Sequence, residues 1–314
     1  MGINFSKIGE IAAMTGESCI KRIPHTNPIN NNTNGLNALT KDVFEHSNQF
    51  FVKMSDGEKK LLPKELHNTK VGEAFASKIP EMQDKDYEQM FIFDQKGAFI
   101  ARDKPPEVLN EAGELVERDR SHDKMSCCLS DYDDIMKVQE LAEAKSYMGM
   151  IHYHPWEITF SGADIDLFRK HNYTTMMAKT PNGYAFLSKK SPEQKIDAEL
   201  VNKYVYNEEQ VEKKLVNSSK SNMEAIQRID EFRNEQLKRF AEKGNLHYEY
   251  KAGDIKAESS NRNIPDVKSM YPSTEDQLKE IDGLTEYGWT KEQIKATKAA
   301  ILELDAAPIE NFYL

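Results

Sequence analysis

The stretch His152-Tyr-His154-Pro-Trp-Glu-Ile-Thr-Phe-Ser161-Gly-Ala-Asp164 decides how this chain is read. The residues just before it, Tyr147-Met-Gly-Met-Ile151, are apolar and bounded further out by turn formers, the pattern of a buried strand. Side chains alternate faces along a strand, so His152 and His154 point to one side and can grip one metal ion. Gly162 to Asn172 has helical spacing, with Ile165, Phe168 and, less strictly, Leu167 as apolar positions, and Ser161 stands where an N-cap belongs. Asp164 then lies in the first helical turn, facing back toward the strand end. Two neutral imidazoles and one carboxylate leave the fourth corner of a tetrahedron open for water, which is how catalytic zinc is held. Each part also has an ordinary reading. His-x-His pairs often do no more than pack, and Ser-x-x-Asp ahead of an apolar run is a common capping box.

Taken together, His-x-His-Pro followed at short range by Ser-x-x-Asp resembles the JAMM, or MPN-plus, metalloprotease family, whose signature adds an upstream Glu. The resemblance covers the middle third of the chain. Nine residues separate His154 from Asp164, one fewer than is usual in the eukaryotic deubiquitinating members, and this shorter loop is more similar to bacterial and phage-associated relatives. The resemblance implies an α+β fold, a mixed sheet with packed helices and an MPN-like, deaminase-like core. It implies Zn2+ as cofactor on His152, His154 and Asp164, an upstream Glu holding the water at the metal, and Ser161 hydrogen-bonding the tetrahedral oxyanion. The expected reaction is hydrolysis of a peptide or isopeptide bond in a protein or peptide substrate, ubiquitin-like proteins included. Glu88, at the start of an apolar strand, is the expected upstream Glu. An exposed strand-end carboxylate is its ordinary reading, and Glu73, Glu81 and the cluster Glu107, Glu111, Glu114 and Glu117 compete with it. Two other classes stay open: a non-catalytic MPN-type protein-binding module, which usually lacks ligands, and a metal nuclease.

Composition narrows these classes. The 314 residues carry 42 basic and 52 acidic side chains, a formal net charge of -10, which speaks against general attraction to nucleic acid. No window approaches the roughly 18 apolar residues that span a bilayer, and no signal peptide opens the chain, so no transmembrane segment and a cytoplasmic location are expected. Three cysteines, Cys19, Cys127 and Cys128, make no disulfide framework. The adjacent Cys127 and Cys128 read as small buried hydrophobes rather than nucleophiles. Met1-Gly2-Ile-Asn-Phe-Ser6 fits the N-myristoylation pattern at Gly2, which has meaning only if the chain meets a eukaryotic transferase, as an effector translocated into a host would.

Along the chain, residues 1–75 are polar, with an Asn-rich run from Asn30 to Asn34, and read as a partly flexible extension. Residues 76–192 read as the metalloprotease-like domain. Met90-Phe-Ile-Phe93 and Ala98-Phe-Ile-Ala101 form a hairpin across Asp94-Gln-Lys-Gly97. The charged stretch around Glu107 to Glu117 reads as a solvated loop. Asp131 to Ala144 has a helical face at Ile135, Val138, Leu141 and Ala142, and Tyr173 to Leu187 forms a second hairpin across Pro181-Asn-Gly183. Pro155 stiffens the turn out of the ligand strand, while Trp156 and Phe160 line a groove or pack under a lid. Residues 193–314 read as mainly helical, with starts at Ser221, Ser273 and Thr290, a stripe from Met223 to Phe240 packed on its own domain, and a linker from Gly253 to Ser269.

Overall fold

Segments of four to six residues, apolar or aromatic in the middle of the sheet and mixed polar and aromatic at the His247–Lys251 edge, become the strands of one mixed sheet. In the computed structural model these are β1 (Gln89–Asp94), β2 (Phe99–Arg102), β3 (Met148–Tyr153), β4 (Thr175–Lys179), β5 (Tyr184–Ser188) and β6 (His247–Lys251). The structure describes residues 51–53, 59–82, 85–104, 107–109, 112–117, 127–156, 158–251 and 266–314. The expected extension's first 50 residues, with Gly2, Cys19 and the Asn-rich run, lie outside them. The strands are ordered β6-β5-β4-β3-β1-β2, with β3 and β4 parallel and every other neighbouring pair antiparallel. Tight turns make the two hairpins. Gly97 supplies a φ of +73° that side chains rarely adopt, and Asp94 Oδ1 accepts the amides of Lys96 and Ala98 at 2.8 Å each.

A parallel pair needs a crossover, and α3 (Gly162–Lys170) supplies it between β3 and β4. Helix α1 (Lys70–Met82) places Val71, Phe75, Ile79 and Met82 against Phe91, Phe93, Ile151 and Tyr153 on one face of the sheet. The opposite face carries Met90, Ile92, Met148 and Met150. It packs under α2 (Tyr132–Glu143), α3, α4 (Ala198–Ser218) and α5 (Asn222–Gly244) through Val138, Phe168, Tyr204 and Phe240. Alternation along β3 therefore sends Ile151 and Tyr153 to the α1 face and Met148, Met150 and His152 to the α3 face.

Several expectations need correction. All described residues belong to one unit, Asn48–Leu314. The boundary expected at residue 76 falls inside α1, whose apolar positions sit at helical spacing in a segment that composition alone marks as polar. The boundary at 192 separates no two compact bodies, because α4 and α5 cover the sheet and β6 extends it. The stretch read as a solvated loop contains a short hairpin, Glu107–Leu109 with Leu115–Glu117, whose chain reversal includes Gly113 at φ +77°. Phe51–Lys53 and Lys59–Leu61 pair likewise. The expected linker's described end is the short helix α6 (Val267–Met270), with Val267 buried. Helices α7 (Thr274–Gly283) and α8 (Lys291–Ala306) start from N-caps Ser273 and Thr290 as expected, and the α5 stripe is buried from Ile226 to Phe240.

Candidate metal centre

His152 is the penultimate residue of β3, with Met90 and Ala178 beside it on the neighbouring strands. His154 follows one residue beyond the strand, its amide donating to the Lys179 carbonyl at 2.8 Å. The two rings stand 4.3 Å apart, and Phe160 stacks on His152 at 5.9 Å, fully buried, while Trp156 is nearly so. Ser161 caps α3 and completes a capping box with Asp164. Its hydroxyl accepts the Asp164 amide at 3.2 Å, and its own amide and hydroxyl donate to Asp164 Oδ2 at 2.7 and 2.8 Å. The box turns Asp164 back toward the strand. Asp164 Oδ1 is 3.7 Å from His152 Nδ1, and Oδ2 is 3.7 Å from His154 Nε2. Glu88, one residue before β1, brings Oε1 to 4.0 Å from His154 Nε2.

These separations test the fit of a metal. They exceed hydrogen-bonding distance, yet donors about 2.1 Å from a tetrahedral ion stand roughly 3.4 Å from one another. His154 Nδ1 donates to the Ile158 carbonyl at 2.8 Å, which leaves the Nε2 lone pair facing Asp164. On His152 it is Nδ1 that faces Asp164, while the buried Nε2 has no hydrogen-bond partner, unusual for a polar atom removed from water. Burial pushes His152 down to about 3 against the pull of Asp164, and burial lowers His154 as well, so both rings are neutral as metal donors must be. Burial works against ionisation of Asp164, but the imidazoles and the Ser161 hydrogen bonds outweigh it and hold the carboxyl below its usual range. Two nitrogens and one ionised oxygen suit a borderline-soft divalent ion.

Glu88 has the opposite balance. Burial first, and then Asp164, push its carboxyl well above the ordinary range, opposed by a hydrogen bond from the Cys127 thiol and by Arg233. A carboxyl so placed keeps its proton to higher pH than an exposed glutamate does. The side chain is 13% exposed, so solvent reaches it. Asp103 steadies this end of β1, its Oδ1 accepting the Met90 amide at 2.6 Å. The cysteine reading is corrected here: Cys128 is exposed and Cys127 is only half-buried, against Glu88. Nothing around the two cysteines in the chain marks this contact, because Glu88 lies 39 residues away and meets Cys127 only in the fold.

Among the described side chains, Glu73, Glu81 and Glu114 do not join the cluster. Glu73 and Glu81 face solvent on α1, where they pair with Lys70 and Lys78 at 2.7 and 2.8 Å, and Glu114 is exposed. Glu111 lies outside the described residues, and Glu107 and Glu117 are in the short hairpin. Among the described residues a second grouping, Glu65, His247 and Glu249, could also hold an ion. It is more exposed, and His247 Nε2 already meets Glu65 at 3.1 Å as a surface pair. A cavity of about 550 Å³ lined by Asp282, Ile294, Lys298 and Leu302 includes none of the clustered residues. No described helix is long and apolar enough to cross a membrane. No protein-family model, curated protein or solved structure matches the chain.

Proposed function

We propose that the protein is a JAMM-like zinc hydrolase that cleaves a peptide or isopeptide bond with activated water. The observation that carries this reading is the convergence of His152, His154 and Asp164, from a strand and a helix, on one point beside Glu88. Zn2+ bound there would polarise the scissile carbonyl, acidify the attacking water and, by its charge, draw the Glu88 carboxyl toward its basic form. The neutral rings of His152 and His154 and the carboxylate of Asp164 would hold the ion. Glu88 Oε1 takes the proton of the attacking water and passes it to the leaving amine. Ser161 Oγ, which donates to Asp164 at 2.8 Å here, has the hydroxyl that can instead donate to the developing oxyanion. The substrate would be a protein or peptide, with ubiquitin-like C-termini as the first to try.

The test is zinc content of protein purified without chelators, together with cleavage of ubiquitin-like fusions and short peptide amides. One zinc per chain is expected. Glu88→Gln should keep the ion and lose at least about a hundredfold in rate, His154→Ala should lose both, and His247→Ala should change neither. Stoichiometric zinc without cleavage would favour a binding module, and undiminished cleavage by both site variants would refute the proposal.

A further inference from the structure

The loop that carries Ser161 and Asp164 to the histidines is held at three backbone points, each by an acidic or basic side chain of α4 or α5. The Thr159 amide donates to Asp230 Oδ1 at 2.7 Å, and the Thr159 carbonyl accepts from Arg233 at 3.4 Å. The Gly162 amide donates to Glu208 Oε2. Arg233 ties these anchors together, with Nε 2.6 Å from Glu208 Oε1 and also bonded to Glu212, whose other oxygen accepts the Tyr271 hydroxyl at 2.6 Å. Asp230 accepts the Tyr250 hydroxyl from β6. Glu208, Glu212 and Asp230 are all under 10% exposed. Taking two carboxylates and a guanidinium out of water is unfavourable, and apolar side chains of the same size would brace a loop equally well. What carboxyl acceptors add is directional hydrogen bonds to chosen amides.

We infer that Glu208 and Arg233 are positioning residues: they set the start of α3 so that the Ser161–Asp164 capping box presents its carboxylate to His152 and His154. Gly162 is the point of leverage. A Cβ there would meet the Glu208 carboxyl, so any side chain at this position makes that acid shift. The inference rests on reading Asp164 as a metal ligand, and it makes the C-terminal helices part of the centre rather than an accessory to it.

The experiment compares the full chain with Glu208→Gln, which keeps the size and replaces the carboxyl by an amide, and with Glu235→Gln, a half-exposed α5 control. Amide exchange over residues 158–164, Co2+ affinity and the Co2+ ligand-field spectrum are read alongside thermal unfolding. Glu208→Gln should unfold close to the wild-type temperature, exchange the loop amides faster, bind Co2+ about tenfold or more weakly and shift the cobalt spectrum. Glu235→Gln should match wild type throughout. Wild-type affinity and spectrum in folded Glu208→Gln would overturn the inference, whether or not exchange changes. Should Glu208→Gln not fold, Arg233→Lys, which keeps the charge and shortens the reach, is read by the same measures. If the wild-type chain binds no Co2+, the metalloprotein reading fails on its own, and the exchange rates alone then decide whether these residues set the loop.

Discussion

Asp164 is constrained from three sides: it completes a helix cap, stays ionised although largely shielded, and stands 3.7 Å from both imidazoles. Glu88 in the same cluster is pushed the other way, so two neighbouring carboxyls give up their protons at different pH. A different buried charge offers a cleaner measurement of stability against pH. Lys189 is 6% exposed, lies over the Phe168 ring and donates to Asn172 Oδ1 at 2.7 Å, and burial lowers it from 10.5 to about 8. Between those values the unfolded chain binds more protons than the folded one, so stability rises with pH and the cost of the buried charge is felt below about 8. Relative to wild type, Lys189→Met should therefore lose on the order of 2 kcal/mol of advantage between pH 7.5 and 10.5. Urea unfolding of both proteins across that range checks it, and a constant difference would refute it.

At the scale of elements, the centre is made where β3 ends and α3 begins. The first of these was legible because Met148-Gly-Met-Ile151 is uninterrupted and apolar; the second because Ser161, Ile165 and Phe168 carry cap and stripe. Their relative placement comes from α4, whose Glu208 and Val205 approach Gly162 closely. Gly162→Ala should cost about 1–3 kcal/mol through overpacking and weaken metal binding, although alanine is the better helix former. Thermal unfolding and a zinc titration test this, and a stabilised variant with unchanged affinity would contradict the packing account.

For the whole molecule, the sheet faces require both halves of the chain. The α3 face is closed by Val201, Tyr204, Leu237 and Phe240 from beyond residue 192, β6 pairs along the whole of β5, and Leu314 is buried with its amide donating to Gln236 at 3.0 Å. A chain ending at residue 192 should therefore lose cooperative unfolding and bind 8-anilinonaphthalene-1-sulfonate through its uncovered core. Circular dichroism and dye fluorescence check this, and a sharp melt with no dye binding would show that the expected boundary is real after all.

Local chemistry in the sequence was enough for the strand–cap–helix motif, the two main hairpins and the identity of the clustered residues, because turns, caps and side-chain periodicity act between near neighbours. The choice of Glu88 over its competitors came from the family resemblance instead. Neither revealed helix α1, the thiol beside Glu88, or the role of Glu208, Asp230 and Arg233. Those depend on contacts between residues tens of positions apart, and a buried acid pairing with a distant backbone amide reads in one dimension as one more charge on a helix. Only the folded chain decides which charges face water and which are desolvated around the loop that delivers Asp164.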